Sequence, residues 1–393
     1  MNLVRAGGIS PTDAYFEERN MIFTNAKIFT PGGWVQGSFR TENGMVVSVR
    51  LEAGEDGTDL DGAKVIPGLV DIHIHGAAGA DASDGDEAGL LAMSRHLARH
   101  GVTAFLPTLM ALPERQAEQA LSAVRAAMSR AEEDCARILG ARTEGPYLSE
   151  KHRGAQNRAY LRRPDPEEFG RLFEGCGGEV RITDLAPELP GAAAFLQRTV
   201  PLCRVSLGHT AADYETAAAA FDAGAGHVTH LFNAMPPFHH RSPGIIGAAA
   251  ERPAVTAEII CDGVHVHPSA VRAAFRLFPE RLCLVSDAMR CCGLGEGEYE
   301  LGGQAVRVCA GEARLGDGTL AGSVSNLFND MKNAVRFGVA EDTAIRAATE
   351  LPARVAGAEG RAGTIEPGRC ADFLICGDDL SLREVYLAGR RIV

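Results

Sequence analysis

Eight short apolar runs, at residues 69–74, 104–108, 138–143, 182–186, 205–207, 227–229, 256–260 and 282–286, alternate with segments of helical pattern. The runs are strand-sized. The segments between them are long enough for helices, as at residues 213–223, where an aspartate start signal precedes an alanine-rich stretch. Eight strands in strict alternation with helices predict an α/β fold with parallel strands, a (β/α)8 TIM-like barrel. A barrel of that kind carries its chemistry at the C-terminal ends of its strands, so the residues that follow each run are the candidates for function.

The first run ends in Asp71-Ile72-His73-Ile74-His75. Side chains two apart on a strand share a face, and neutral imidazole is a common ligand for transition metals, so His73 and His75 make half a site for a divalent ion. Polar groups recur at later ends: Glu144 after the third run, His209 after the fifth, His230 after the sixth, Asp262 and His265 after the seventh, and Asp287 after the eighth. Each has an ordinary alternative. Glu144 or Asp287 could cap a helix, and His209 or His230 could be hydrogen-bonded core histidines. Their shared placement is what joins them into one site. Beside a metal, Asp287 is suited to take the proton of an activated water. His239, His240 and His267 lie off the strand ends, and His96 and His100 form an i, i+4 pair on a helix without a nearby acid, so none of these is counted as a ligand.

Composition narrows the class of partner. A chain that is 46% hydrophobic and 23% charged is globular. The net charge of -12, with no basic block, excludes nucleic acid as partner but admits a small anionic substrate, because one or two arginines suffice to make a local positive site. No apolar run is long enough to span a membrane and no secretory pattern opens the chain, so a cytoplasmic protein is expected. The ten cysteines form no C-x-x-C pair and read as free thiols, with the vicinal Cys291 and Cys292 structural. Residues 1–20 read as a polar extension. Short β-rich runs with glycine and asparagine turns at 21–66 and again at 359–393 predict one small β-sandwich built from both chain ends, with the barrel at 67–358.

Several stretches carry a specific resemblance: Pro67-Gly68-Leu69-Val70-Asp71-Ile72-His73-Ile74-His75-Gly76, Thr143-Glu144-Gly145-Pro146-Tyr147, Gly208-His209-Thr210, His230-Leu231-Phe232-Asn233-Ala234-Met235-Pro236, Asp262-Gly263-Val264-His265, Ser286-Asp287-Ala288 and Leu320-Ala321-Gly322-Ser323. From about residue 21 to its end the chain resembles the amidohydrolase superfamily and, within it, the N-acetylglucosamine-6-phosphate deacetylases, to which the His230–Pro236 stretch is particular. The resemblance implies metal-dependent hydrolysis of the acetamide of N-acetyl-D-glucosamine 6-phosphate to glucosamine 6-phosphate and acetate. It implies a divalent ion, zinc or iron, held by Glu144, His209 and His230. His73 and His75, absent from part of the family, would hold a second ion bridged by the glutamate, so one or two ions are expected per subunit. Asp287 would be the general base and then acid. Asn233, Ala234 and His265 would contact the sugar, and Arg241 would reach the substrate phosphate across a homodimer interface, a task that suits the guanidinium fork. Where part of the family has a histidine this chain has Gln156, whose amide can bind or polarise a substrate carbonyl but cannot act as an acid. The isomeric N-acetylgalactosamine 6-phosphate and other amidohydrolase amides remain as alternatives. Against a cyclic amide stands the position of the lysines, Lys27, Lys64, Lys151 and Lys332, none of which follows the fourth run to bridge two metals. A non-catalytic scaffold is the remaining alternative, and it would have lost ligands that this chain keeps.

Overall fold

Every one of the eight apolar runs becomes a strand of a single parallel barrel: β1 Leu69–Ile74, β2 Val102–Leu109, β3 Ala141–Thr143, β4 Val180–Leu185, β5 Arg204–Leu207, β6 His227–Val228, β7 Thr256–Ile260 and β8 Leu282–Val285. The computed structural model describes residues 20–50, 56–130 and 132–393; the expected N-terminal extension, apart from Asn20, lies outside them. Neighbours in sequence are neighbours in the barrel, in the order β1 to β8. The third run is broken, because Arg137–Ile138 pairs with β2 separately from β3. The break falls at Gly140, whose φ of +147° and close approach to Glu179 O, 2.4 Å from where a Cβ would sit, only glycine accommodates.

The seam between β8 and β1 is closed without a regular ladder among the described residues. Asp71 accepts from Ser286 Oγ at 2.5 Å and from Ser286 N at 3.4 Å, and Asp287 N donates to His73 O at 2.9 Å. This seam sets two strand ends of the sequence analysis, His73 and Asp287, side by side.

Helices pack around the barrel and bury their apolar faces against the outward side of the strands. The expected helix at 213–223 is Tyr214–Asp222, capped by Asp213 Oδ1, which accepts from Thr216 N at 2.9 Å. Strands from both chain ends share one further sheet, joined where Phe373–Cys376 runs antiparallel to Lys64–Pro67. Flat, that sheet would hold Met21–Thr30 and Leu382–Leu387 roughly 14 Å apart, three strand spacings. The rings of Phe23 and Tyr386 are instead 5.3 Å apart, so the sheet curls over, and Phe23, Phe39, Phe373 and Tyr386 fill the space between its two halves.

One element has no counterpart in the sequence analysis. Between β8 and the helix Leu327–Arg336 stands a three-stranded antiparallel sheet, Gly297–Leu301, Gln304–Cys309 and Glu312–Leu315. Leu301 reaches into the cavity at the barrel mouth, and Gln304 Nε2 donates to Ala155 O at 2.5 Å, so this sheet walls one side of that cavity.

Candidate metal-binding active site

His73, His75, Glu144, His209, His230 and Asp287, which come from five strand ends, converge at the C-terminal mouth of the barrel and are all buried. Strand alternation alone does not aim them. Ser206 on β5 and Thr229 after β6 point inward and meet through their hydroxyls at 2.6 Å, so His209 and His230 would fall out of phase. Both are turned back inward by left-handed backbone, φ +47° at His209 and +25° at His230, and Asp287 has φ +48°. Such conformations cost about 1–3 kcal/mol each and persist where packing imposes them. Packing does so at Gly208, where a Cβ would lie 2.5 Å from Thr229 Cβ, so the backbone before His209 is pressed against the next strand.

Glu144 sits at the centre. Its Oε1 lies 3.0 Å from His230 Nε2, 3.1 Å from His209 Nε2 and 3.2 Å from His73 Nε2, and its Oε2 lies 3.2 Å from His75 Nε2. Asp287 Oδ1 is 3.2 Å from His75 Nε2 and 3.5 Å from His73 Nε2. Two sets of possible ligands result, Glu144 with His209 and His230, and His73 with His75 and Asp287; within each set the ligand atoms lie within 4.8 Å of one another.

The outer ring nitrogens show what these sets are built to hold. His75 Nδ1 donates to Thr108 O at 3.0 Å, His209 Nδ1 to His152 O at 2.9 Å and His73 Nδ1 to Glu258 Oε2 at 3.0 Å. Since those partners can only accept, each neutral ring presents a bare Nε2 to a carboxylate, and His73 Nε2 is buried with no hydrogen-bond partner. Lone pairs facing lone pairs in a buried pocket need a cation between them, and imidazole nitrogens with carboxylate oxygens are the donor set of a transition-metal site. Without a metal, protons take that role. Burial and the Arg142 guanidinium oppose a charge on His73, yet Asp287, Glu144 and Glu258 together push its pKa up to about 10. Burial likewise opposes charge on His75 and His209, and neighbouring carboxylates raise both all the same. Against burial, His73 and His209 hold Glu144 well below the usual carboxylate range, and His73 and His75 hold Asp287 low.

A cavity of about 240 Å³ opens beside these groups. Of the residues expected to contact substrate, Gln156, Asn233, Ala234 and His265 line it. Gln156 Nε2 donates to Glu144 Oε2 at 2.7 Å, so its amide is turned to the ligand set as well as to the cavity. His265 Nδ1 donates to Asp262 Oδ2 at 2.6 Å, and its Nε2 lies 3.0 Å from Ala321 O. Burial opposes charge on His265, but Asp262 outweighs it and raises the pKa. Arg241 does not line this cavity; it is exposed on the following loop, 2.8 Å from His240 Nε2 through Nη1. The vicinal thiols are buried, which pushes Cys291 up to about 11 and Cys292 to about 12, and Cys292 Sγ donates to Ser325 O at 3.1 Å, as befits structural residues.

A layer the sequence analysis passed over lies directly beneath the ligands. Arg142, Asp184, His227 and Glu258 are fully buried inside the barrel. Arg142 pairs with Glu258, donates to Asp184 Oδ1 at 3.0 Å and to Thr229 Oγ1 at 3.0 Å, while His227 Nε2 is 2.9 Å from Glu258 Oε1. The available signal was a charge in the middle of an apolar strand, such as Glu258 in Thr256–Ile260: a buried charge is tolerated only when paired.

Comparison with known proteins shows the family. The model of the amidohydrolase family matches residues 64–392. The N-acetylglucosamine-6-phosphate deacetylase of Bos taurus is 35% identical over 390 residues, covering 94% of this chain and 95% of the relative. The N-acetylgalactosamine-6-phosphate deacetylase of Escherichia coli O157:H7 is 32% identical, covering 93% of this chain and 97% of that protein. Among solved structures, a mutant N-acetyl-D-glucosamine-6-phosphate deacetylase from Mycobacterium smegmatis, in complex with N-acetyl-D-glucosamine 6-phosphate, superimposes with a TM-score of 0.90 at 33% identity, covering 95% of this chain and 99% of that one.

Proposed function

The chain belongs to the amidohydrolase family, and from that premise we propose how its own residues carry out its reaction, the metal-dependent hydrolysis of the acetamide of N-acetyl-D-glucosamine 6-phosphate to D-glucosamine 6-phosphate and acetate. The observation that carries the reading is Glu144 Oε1, which lies within 3.2 Å of His73 Nε2, His209 Nε2 and His230 Nε2, the first two left bare because their rings donate through Nδ1. Glu144, His209 and His230 would hold the principal ion, and His73 and His75, with Glu144 shared between the two sets, would hold a second one. Zinc or iron suits this mixture of imidazole and carboxylate. A bound divalent ion supplies Lewis acidity to the amide carbonyl and lowers the pKa of water from 15.7 toward about 7.

Asp287 is the general base. Its Oδ1 faces the space between the ligand sets, 3.2 Å from His75 Nε2 and 3.5 Å from His73 Nε2, where it accepts the water's proton and returns it to the departing amine. Asn233, Ala234 and His265 bind the sugar, supported by their place on the cavity wall. Gln156 holds Glu144, and its place on the cavity wall supports a role in binding or polarising the substrate. The phosphate is bound by Arg241 of the partner subunit in a homodimer, a role supported by the exposure of Arg241 and its position outside its own cavity. A cytoplasmic location is supported by ten cysteines that are all free thiols.

N-acetylgalactosamine 6-phosphate is the second reading, favoured by the similarity to the Escherichia coli relative. The test is acetate release from both hexosamine 6-phosphates by metal-loaded and chelated protein. The primary reading expects faster turnover of the gluco epimer, abolished by chelation and restored by zinc or ferrous ion. A higher kcat/KM on the galacto epimer would overturn it.

A further inference from the structure

We propose that Glu258, on β7, is the positioning residue that commits His73 to metal ligation through Nε2 and so sets the occupancy of the His73, His75 and Asp287 site. The inference rests on the two-ion reading given above.

Glu258 is fully buried and touches one member of each ligand set. Its Oε2 accepts from His73 Nδ1 at 3.0 Å and from His230 N at 3.3 Å; its Oε1 accepts from His227 Nε2 at 2.9 Å and from Arg142. Four donors fill the acceptor capacity of one carboxylate, so it cannot rotate to release any of them without leaving a buried donor unpaired. Arg142 is itself fixed from the far side by Asp184 Oδ1 and Oδ2, at 3.0 and 3.2 Å, and by Ile72 O at 3.2 Å. His73 is therefore the last link of a rigid chain. Its Nδ1 is bound to Glu258, and its Nε2, which has no hydrogen-bond partner, points between Glu144 Oε1 at 3.2 Å and Asp287 Oδ1 at 3.5 Å. One guanidinium against two carboxylates also leaves a net negative charge under the ligands, which favours a cation above it.

Glu258→Gln separates this role from mere packing. The amide oxygen is drawn to the Arg142 and His227 donors, which turns the NH2 group toward His73 Nδ1. That donor forces Nδ1 bare and the proton onto Nε2, the tautomer that cannot ligate through Nε2. Apo protein titrated with zinc against a chromogenic chelator should bind two equivalents in the wild type. In Glu258→Gln the His73, His75 and Asp287 site should weaken about 10- to 100-fold, and the Glu144, His209 and His230 site clearly less, because the exchanged atom meets that set only through the longer 3.3 Å contact with the His230 backbone N. A general packing defect would weaken both sites together and lower the melting temperature of the zinc-free protein, and that result would overturn the proposal. A folded variant with both affinities intact would overturn it too, while leaving the two-ion reading standing; wild-type protein that binds one equivalent would remove that reading and the proposal with it. If the variant does not fold, nitrogen-15 NMR of histidine-labelled, zinc-loaded wild type decides the matter. The proposal requires the proton of His73 on Nδ1, and a proton on Nε2 would overturn it.

Discussion

Gln156 Nε2 donates to Glu144 Oε2 at 2.7 Å while Gln156 Oε1 accepts from Ala111 N at 2.8 Å. Both ends of the amide are thereby tied, one of them to the carboxylate at the centre of the ligand cluster. A hydrogen bond to a buried charged group contributes about 1.5–3 kcal/mol. Gln156→Leu should therefore destabilise the metal-free protein by about that amount in chemical denaturation, and should lower kcat more than it raises KM. A rise in KM alone would mean that the amide serves the substrate and not Glu144.

Asp287→Asn keeps the size of the side chain but cannot accept a proton. Turnover should fall by at least the roughly 10²- to 10⁴-fold of a general acid-base group. The Glu144, His209 and His230 site should keep its metal, as measured by elemental analysis of the dialysed variant. Activity near the wild-type level in a fully loaded variant would remove Asp287 from the mechanism.

Arg241→Ala should lower kcat/KM for the phosphorylated sugar roughly 10- to 150-fold, the equivalent of a charge-assisted contact of 1.5 to 3 kcal/mol, and should barely change the slow rate on unphosphorylated N-acetylglucosamine. Mixing it with Asp287→Asn should restore activity, because a mixed dimer contains one intact composite site. An equal loss on both sugars would exclude a phosphate role, and no complementation after verified subunit exchange would exclude a shared site.

His96 gives a pH test away from the metal ligands. Burial, reinforced by the charges of His100 and Arg99, depresses its pKa from 6.5 to about 4. The folded value lies below the unfolded one, so the unfolded chain takes up the proton first. The stability this residue contributes is present in full above pH 6.5 and is lost as the pH falls from 6.5 toward 4. Denaturation midpoints should therefore drop more steeply over that window in the wild type than in His96→Gln. Parallel curves would show that His96 titrates normally in the fold.

The strand count and the ends at which chemistry gathers were legible in the chain because they are local. A strand-length apolar run, a capping Asp213 and a polar residue just past the run each need only their neighbours in sequence. The identity of the ligand candidates was legible for the same reason, since His73, Glu144, His209, His230 and Asp287 all stand at run ends. What the tertiary structure alone decided is how they face one another. His209 and His230 reach Glu144 from 65 and 86 residues away, and only because left-handed backbone at both turns inward the side chains that strand alternation would point outward. The polar layer beneath was illegible for a related reason. Glu258 reads as an error in an apolar strand until β7 is laid beside the rest of the barrel and its partners appear, Arg142 from 116 residues away and His73 from 185. Periodicity records which side of its own strand a residue occupies; barrel closure determines what lies opposite, and a buried charge acquires its meaning only from that.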